Sequence, residues 1–165
     1  MAERVIFHVD ANSAFLSWSA AYRVKVLGEE TDLREVPSVV AGDKASRHSI
    51  ILAKSIPAKK YGIQTGEPLF QALEKCPELV VIPPDYDLYV QASRHFVDML
   101  RQFSPAVEQY SIDEAWVDMT GTQRLWGPPR LAAELMRRRI NEELGFTVNI
   151  GISSNKLLAK MAGDF

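Results

Sequence analysis

The chain has 165 residues and a mass of 18.5 kDa, the size of one domain or of two small compact units. Hydrophobic residues make up 47% and charged residues 24%, which excludes a disordered, collagen-like or coiled-coil protein. The formal net charge of −2 has the wrong sign for a domain that binds nucleic acid by its own charge. The single cysteine, Cys76, cannot form an internal disulfide or a cysteine-based zinc site, and it agrees with a reducing compartment.

The two ends of the sequence carry further expectations. No apolar run approaches the roughly 20 residues that a bilayer span needs, and no signal-peptide pattern precedes the first apolar run. These features predict a cytoplasmic protein with no membrane partner. At the other end, the helical pattern reaches residues 163–165 without a capping signal, which predicts that the sequence is part of a longer chain.

Hydrophobic periodicity and turn residues predict an alternation of strands and helices. In chain order, the predicted elements are a strand (residues 4–10), a helix (14–27), two short antiparallel strands (37–41 and 49–53), two short helices (56–61 and 67–75), a strand (79–82), a long helix (86–103), a hairpin of two strands (106–111 and 115–119), a helix (128–143), a strand (146–152) and a last helix (155–161). This order predicts an α+β fold, a mainly antiparallel ferredoxin-like core interrupted by an insertion near residues 22–80.

Three carboxylates are the residues most able to carry chemistry. Asp10 ends the first predicted strand, while Asp113 and Glu114 lie at the tip of the predicted hairpin. Adjacent strand residues point to opposite faces, so Asp113 and Glu114 converge only if the backbone is irregular there. Carboxylate oxygens are the ligands that Mg²⁺ selects, and two ions could be held in this way. The alternative is ordinary turn and capping chemistry at all three positions.

Other residues favour a phosphate-binding reading without establishing it. The turn at residues 12–16 opens a helix whose free N–H groups suit a triphosphate, and Lys59, Lys60 and Lys160 are available as cations. Each lysine alone is better explained as a solvated surface residue, and Phe15 and Trp18 as core or staple residues. The three histidines, His8, His48 and His95, do not stand at metal-ligand spacing, and the sequence assigns them no catalytic role.

Three motifs occur in register along the chain. They are His-Val-Asp-Ala-Asn-Ser-Ala-Phe at residues 8–15, Tyr-Ser-Ile-Asp-Glu-Ala-Trp-Val-Asp at 110–118, and Gly-Ile-Ser-Ser-Asn-Lys-Leu-Leu-Ala-Lys-Met-Ala-Gly-Asp at 151–164. Together they resemble the Y-family of translesion DNA polymerases, from residue 4 to the last residue. The Ser-Ile-Asp-Glu-Ala segment is highly specific to that family.

The resemblance implies a palm and a fingers domain. The palm would comprise residues 1–21 and 81–165 and the fingers residues 22–80, with the family's thumb and little-finger domains absent from this sequence. The family's catalytic carboxylates correspond to Asp10, Asp113 and Glu114, which would bind two Mg²⁺ ions, and the carbonyl of Ala11 would be a further ligand.

The same resemblance assigns nucleotide-binding roles. Ser13 and Ala14 would offer backbone N–H groups to the triphosphate, Phe15 would exclude a ribose 2′-hydroxyl, and Lys160 would approach the charged end. One stretch departs from the family, since many members carry a tyrosine and, three residues later, an arginine where this chain has Ile56 and Lys59. Lys59 keeps the charge but not the bidentate guanidinium, which predicts a weaker or rearranged grip on the nucleotide.

The implied function is DNA-directed synthesis past damaged template bases. The expected substrates are primer–template DNA and deoxynucleoside triphosphates, with roles in DNA repair and the SOS response and a sliding clamp bound by a region beyond this sequence. We expect the 165 residues alone to be inactive or nearly so, with weak DNA binding. The alternatives are a palm-type nucleotidyl cyclase and an inactive polymerase-like repair scaffold.

Overall fold

A computed structural model describes residues 3–46 and 48–164 of the chain. The described residues form two compact units. Unit 1 draws on the segments Met1–Asn12 and Val90–Phe165, and unit 2 on Ser13–Tyr89. The palm and fingers boundaries at residues 21 and 81 stay predictions. No helix among the described residues is long and apolar enough to cross a membrane.

The fold is α+β, as predicted. Over the described residues the strands are β1 (Ile6–Ala11), β2 (Ser38–Ala41), β3 (Ile51–Lys54), β4 (Val80–Ile82), β5 (Val107–Ser111), β6 (Glu114–Asp118) and β7 (Val148–Ser153). The α-helices in the same part of the chain are α1 (Ala14–Lys25), α2 (Ile56–Lys60), α3 (Leu69–Lys75), α4 (Tyr86–Arg101), α5 (Gln123–Trp126), α6 (Pro129–Arg139) and α7 (Lys156–Gly163). A short 3₁₀ turn at Leu33–Glu35 and a π-helical turn at Ile140–Leu144 complete the list.

Unit 1 is built on a four-stranded antiparallel sheet of order β5-β6-β1-β7. This is the strand order of a ferredoxin-like core, so that prediction is confirmed. Because side chains alternate along a strand, Phe7 and Val9 point to one face of β1, and His8 and Asp10 to the other. The register places Phe7 opposite Val117, which is also fully buried, so this first face contributes to the hydrophobic core.

Helix α7 packs closely against β7 at a glycine. A Cβ atom on Gly151 would lie 1.9 Å from the carbonyl oxygen of Ala159 and 2.4 Å from the backbone nitrogen of Gly163. Only glycine permits this approach. Asn155 caps the helix, since its side chain accepts a hydrogen bond from the N–H of Leu158 at 2.9 Å. The position of α7 relative to the sheet is therefore determined by the sequence at both ends of the β7–α7 connection.

Unit 2 is built on a small sheet of order β3-β2-β4. Helix α1 contributes Leu16 and Ala20 to a buried cluster on one side of this sheet, together with Val40. Helix α3 contributes Leu69 and Ala72 to a second cluster that contains Val39. Since Val39 and Val40 are adjacent in β2, helices cover both faces of the sheet.

Two details of the predicted order differ from the structure. The antiparallel pairing of β2 with β3 is confirmed, but β4 pairs in parallel with β2 and so belongs to the insertion's own sheet rather than to the strands that follow it. A three-residue apolar run suits either sheet, so periodicity could not assign it. Helix α5 and the 3₁₀ turn were not predicted, because elements of three or four residues are too short to show a period.

Candidate active site

The three carboxylates lie at neighbouring positions in unit 1. Asp10 is directly opposite Glu114 in the β1–β6 register. Asp113 stands in the β5–β6 turn, where its carbonyl accepts a hydrogen bond from the N–H of Ala11 at 2.9 Å. The β5–β6 register shifts between Gln109 and Ser111, which is the backbone irregularity that the sequence required for Asp113 and Glu114 to converge.

The carboxylate of Glu114 is held by three donors. Its Oε1 atom lies 2.9 Å from His8 Nε2 and 3.0 Å from Lys160 Nζ. The Ser111 hydroxyl donates to its other oxygen, Oε2, at 3.1 Å. Burial raises the pKa of the Glu114 carboxyl, but the hydrogen bonds from these three side chains outweigh it, so the pKa lies below the usual value. Glu114 is therefore ionised at neutral pH.

Asp10 is in the opposite electrostatic situation, with its pKa raised from 3.8 to about 6. Burial is the largest cause, because it disfavours the charged form, and the negative charges of Asp113 and Glu114 come next. Asp164 adds to this repulsion, and the Lys160 ammonium only partly opposes it. The cluster thus concentrates more negative charge than its own cations neutralise.

Ser111 links the two hairpin carboxylates. Its hydroxyl lies 2.9 Å from Asp113 Oδ1 as well as 3.1 Å from Glu114 Oε2. A hydroxyl has one proton to donate, so the two carboxylates share it. The hydroxyl therefore ties the orientations of the two carboxylates to each other.

Lys160 reaches the site from α7. Its ammonium contacts Glu114 and lies 4.5 Å from the centroid of the Tyr110 ring. The hydrogen bond to Glu114 raises the pKa of Lys160 above its usual value, so it is cationic at neutral pH. One turn earlier, Lys156 forms an ion pair with Glu108, and its ammonium lies 5.3 Å from the Trp116 ring centroid. Both lysines are thus cations supported by aromatic rings.

The donor set fits a hard divalent cation. Carboxylate oxygens and a backbone carbonyl are oxygen ligands, and a cation would offset the burial and the nearby negative charges that raise the pKa of Asp10. Within residues 3–46 and 48–164, no three His, Cys, Asp or Glu side chains are already arranged as ligands of a single ion. The Glu114 carboxylate instead faces Lys160 and His8.

Three predicted nucleotide-binding residues, Ser13, Ala14 and Phe15, lie at the start of α1 in unit 2. Ser13 is exposed and adopts φ 44° and ψ 56°, a left-handed conformation that is uncommon for residues other than glycine. Its side chain makes no capping hydrogen bond. Ala14 follows and is buried. The side chain of Ser13 therefore does not cap the positive end of α1.

Phe15 and Lys59 differ in how firmly they are held within unit 2. The Phe15 ring stacks on Tyr89, with centroids 4.4 Å apart and planes 6° from parallel. Tyr89 is itself fixed by a 2.7 Å hydrogen bond between its hydroxyl and that of Ser19. Lys59 lies in the last turn of α2 and is exposed, as is Ile56 at the start of that helix. Phe15 thus has a defined orientation.

Sequence reasoning missed three residues that contact predicted site residues. His8 and Ser111 both hold Glu114, and Tyr89 supports Phe15. A signal for His8 was present, because it precedes Asp10 by two residues on a strand and so shares its face. For Tyr89, 74 positions separate it from Phe15, and no local pattern links them.

Comparisons with known proteins identify the family of the chain. The sequence profile of the impB/mucB/samB family matches residues 9–164, and the chain therefore belongs to that family. It is 53% identical over 161 residues to DNA polymerase IV of Clostridium acetobutylicum, a match that covers 98% of this chain and 40% of the relative. It is 40% identical over 161 residues to DNA polymerase IV 1 of Bacillus subtilis, covering 98% and 37%.

Solved structures show the same fold. DinB from Sulfolobus solfataricus superposes with a TM-score of 0.79 at 25% identity, over 97% of this chain and 45% of that one. An insertion ternary complex of Dbh DNA polymerase gives a TM-score of 0.81 at 24% identity, with the same coverage. The predicted resemblance to the Y-family is confirmed. The chain spans about 40% of the length of the curated relatives it matches.

Proposed function

We propose that this chain forms the catalytic part of a DNA-directed DNA polymerase of the translesion type, which joins deoxynucleotides to a primer 3′-hydroxyl. The observation that carries the proposal is the convergence of Asp10, Asp113 and Glu114 at one end of the unit 1 sheet. The family and the relatives named DNA polymerase IV support it. They do not favour the cyclase or scaffold alternatives.

Asp10, Asp113 and Glu114, with the carbonyl of Ala11, would hold two Mg²⁺ ions. Ions bound there would lower the pKa of the primer hydroxyl and stabilise the charge that develops on the phosphates. The protein's own contribution is positioning. Ser111 hydrogen-bonds to both Asp113 and Glu114, and the β5–β6 register shift lies directly before them in the chain. A bound cation would offset the burial and repulsion that raise the pKa of Asp10, and so would stabilise its ionised form.

Lys160, Ser13, Ala14, Phe15 and Lys59 are proposed as nucleotide-binding residues. In unit 1, the Lys160 ammonium is a cation of suitable reach for a phosphate oxygen. In unit 2, helix α1 begins after Ser13, whose side chain does not cap it, and the backbone N–H groups at the start of a helix are a common anion-binding arrangement. The flat stacking of Phe15 on Tyr89 gives it the rigidity that a steric filter against a 2′-hydroxyl requires. Lys59 supplies an exposed point charge.

The remaining expectations concern the longer protein. Lesion bypass during DNA repair and the SOS response, a cytoplasmic location and delivery by a sliding clamp stay predictions of the family resemblance. The same holds for weak DNA binding and low activity of the 165 residues alone. The net charge of −2 supports weak binding, because affinity for duplex DNA depends on cationic contacts to phosphate.

A chimeric polymerase tests the proposed function. The matched 161 residues of the Clostridium acetobutylicum relative would be replaced by this chain, and primer extension measured with Mg²⁺ and deoxynucleotides. We expect extension, and its loss in Asp113→Ala and Glu114→Ala. The control is Asp98→Ala, which removes an exposed carboxylate paired with Arg101. Cyclic products from triphosphate without DNA would instead support the cyclase, and retained extension in both variants would refute the carboxylate assignment.

The sugar filter is tested in the same chimera. Phe15→Ala should raise ribonucleotide incorporation relative to deoxynucleotide incorporation, because the ring that would contact the 2′ position is removed. The matched control is Phe70→Ala, which truncates an exposed phenylalanine of the same unit. An unchanged sugar preference in Phe15→Ala would exclude this role for Phe15.

A further inference from the structure

One histidine makes a specific contact that the proposed chemistry does not use. His8 is 2% exposed, and its Nε2 atom lies 2.9 Å from Glu114 Oε1. Glu114 pairs with Asp10, two residues further along β1, so His8 reaches it diagonally across the strand pair. We propose that His8 is a positioning residue, which holds the Glu114 carboxylate in the orientation that binds a divalent cation. This inference rests on the proposed function.

The direction of the hydrogen bond follows from the chemistry of its partners. A carboxylate can only accept, and Glu114 also accepts hydrogen bonds from Lys160 and Ser111. The proton therefore resides on Nε2 of His8, and the imidazole donates it. A donor that points at one oxygen of a carboxylate fixes its rotation, as outer hydrogen bonds do for metal-binding side chains generally.

His8 is the most rigid of the three donors to Glu114. Its side chain is 3% exposed, whereas that of Lys160 is 36% exposed and sits on a flexible stem. The Ser111 hydroxyl is shared with Asp113. Of the three donors, only His8 is buried and bonds to Glu114 without bonding to Asp113 or Asp10. The Lys160 ammonium is exposed enough to exchange Glu114 for a phosphate, whereas His8 lies on a central strand and keeps its contact with Glu114.

The surroundings of His8 hold its ring in place. The ring meets Trp116 edge-on, with centroids 5.5 Å apart, and Trp116 is its partner in the β1–β6 register. Its partner on the other side, in β7, is Gly151, which has no side chain. An apolar residue of similar size could fill this space without the cost of burying a polar ring, so packing alone does not account for a histidine here.

Metal binding by the chain itself tests the proposal. The dissociation constant for Mn²⁺ would be measured by electron paramagnetic resonance for the wild type, His8→Leu and His8→Gln. We expect His8→Leu to weaken binding by about 10- to 100-fold, the effect of losing an outer hydrogen bond to a metal ligand. His8→Gln should recover most of that loss, because its amide nitrogen can donate at a similar reach. The control is Phe103→Leu, which trims another buried ring of unit 1.

A spectroscopic measurement addresses the bond without any metal. In ¹⁵N-labelled protein, we expect the His8 Nε2 proton to be protected from exchange with water and to lose this protection in Glu114→Ala. The proposal is overturned if that proton exchanges freely in the wild type, if His8→Leu binds Mn²⁺ as tightly as the wild type, or if Phe103→Leu weakens binding equally. It is also overturned if the wild type binds no Mn²⁺.

The same variants in the chimera separate this inference from the proposed function. If the chimera does not extend primers but His8→Leu alters Mn²⁺ affinity as expected, polymerase activity is refuted and the role of His8 stands. If the chimera extends primers and His8→Leu has the wild-type kcat and the wild-type requirement for Mg²⁺, polymerase activity stands and the role of His8 is refuted.

Discussion

The two faces of the unit 1 sheet are made by the same strands and have opposite chemistry. One face presents Phe7, Val9 and Val117, all fully buried. The other presents His8, Asp10 and Glu114, which are linked by hydrogen bonds and by charge repulsion. Since neighbouring residues of a strand alternate between faces, each strand contributes to both.

The apolar face contributes to stability, whereas the carboxylate face contributes to the proposed function. Burial of the apolar face contributes free energy of folding, because apolar surface leaves water. On the carboxylate face, burial and the repulsion from neighbouring carboxylates raise the pKa of Asp10, which costs free energy at neutral pH. Neutralising Asp10 should therefore change stability with the opposite sign to truncating a side chain of the apolar face, while only substitutions on the carboxylate face change metal affinity.

The largest effect is expected on the apolar face. Phe7→Ala removes a fully buried ring, and we expect it to lower the free energy of unfolding by about 3–5 kcal/mol. Urea denaturation followed by circular dichroism measures this loss. The folded fraction of Phe7→Ala should bind Mn²⁺ with wild-type affinity. Weaker binding by this fraction would show that the apolar face also affects the carboxylate site.

The next test disturbs the helix that carries Lys160. Gly151→Ala places a Cβ atom 1.9 Å from the Ala159 carbonyl oxygen, so α7 must move away from β7. We expect a loss of about 3 kcal/mol, at the upper end for an added methyl group, because backbone atoms cannot rotate away. The matched control is Gly42→Ala, whose Cβ would meet only the movable side chain of Ser49 at 3.0 Å. Equal thermal stability of the two variants would contradict the tight α7–β7 contact.

Much of the fold was predictable because its signals are local. Alternation and turn residues located β1 and the hairpin of β5 and β6, and the pairing of β2 with β3 followed from the same cues. The sheet that takes up β4 could not be predicted, since three apolar residues carry no information about their neighbours. Strand pairing between distant segments depends on tertiary packing.

The candidate site was predictable in its carboxylates and not in the groups that orient them. Asp10, Asp113 and Glu114 stand at strand ends that a sequence pattern can locate. The hydrogen bond from His8 to Glu114 joins residues 106 positions apart and depends on the β1–β6 register. That register, together with the bulge near Ser111, is visible only in the structure.

At Asp10 we expect a substitution to raise the free energy of unfolding, whereas those at Phe7 and Gly151 lower it. Asp10→Asn should raise the free energy of unfolding of the metal-free chain by about 1–2 kcal/mol at neutral pH, since one pKa unit corresponds to about 1.4 kcal/mol and partial exposure reduces the effect. Mn²⁺ affinity should fall in the same variant. Thermal denaturation with a chelator present measures the first effect, and paramagnetic resonance the second.

The difference in stability between the wild type and Asp10→Asn should depend on pH, because protonation of Asp10 is linked to folding. The pKa of Asp10 is raised in the folded state, so folding takes up a proton between the unfolded value of 3.8 and the folded value of about 6. The cost of ionised Asp10 is thus absent below this window and complete above it. We expect the wild type and Asp10→Asn to converge in stability as the pH falls below the window. A difference that does not depend on pH would contradict the ionisation of Asp10 as the cause.

The smallest expected effect concerns the backbone just after β1. Ser13 adopts φ 44°, and a left-handed conformation costs a residue other than glycine about 1–2 kcal/mol. Ser13→Gly removes that cost but loses more chain entropy on folding, about 0.5–1 kcal/mol, so we expect a net gain in stability of about 0.5 kcal/mol. Ser13→Ala keeps the strain and should leave stability nearly unchanged, because the Ser13 side chain makes no capping hydrogen bond. Urea denaturation of the three proteins checks this order. If Ser13→Gly is less stable than Ser13→Ala, the left-handed conformation of Ser13 carries no strain. The loss of stability near the carboxylates is then electrostatic only.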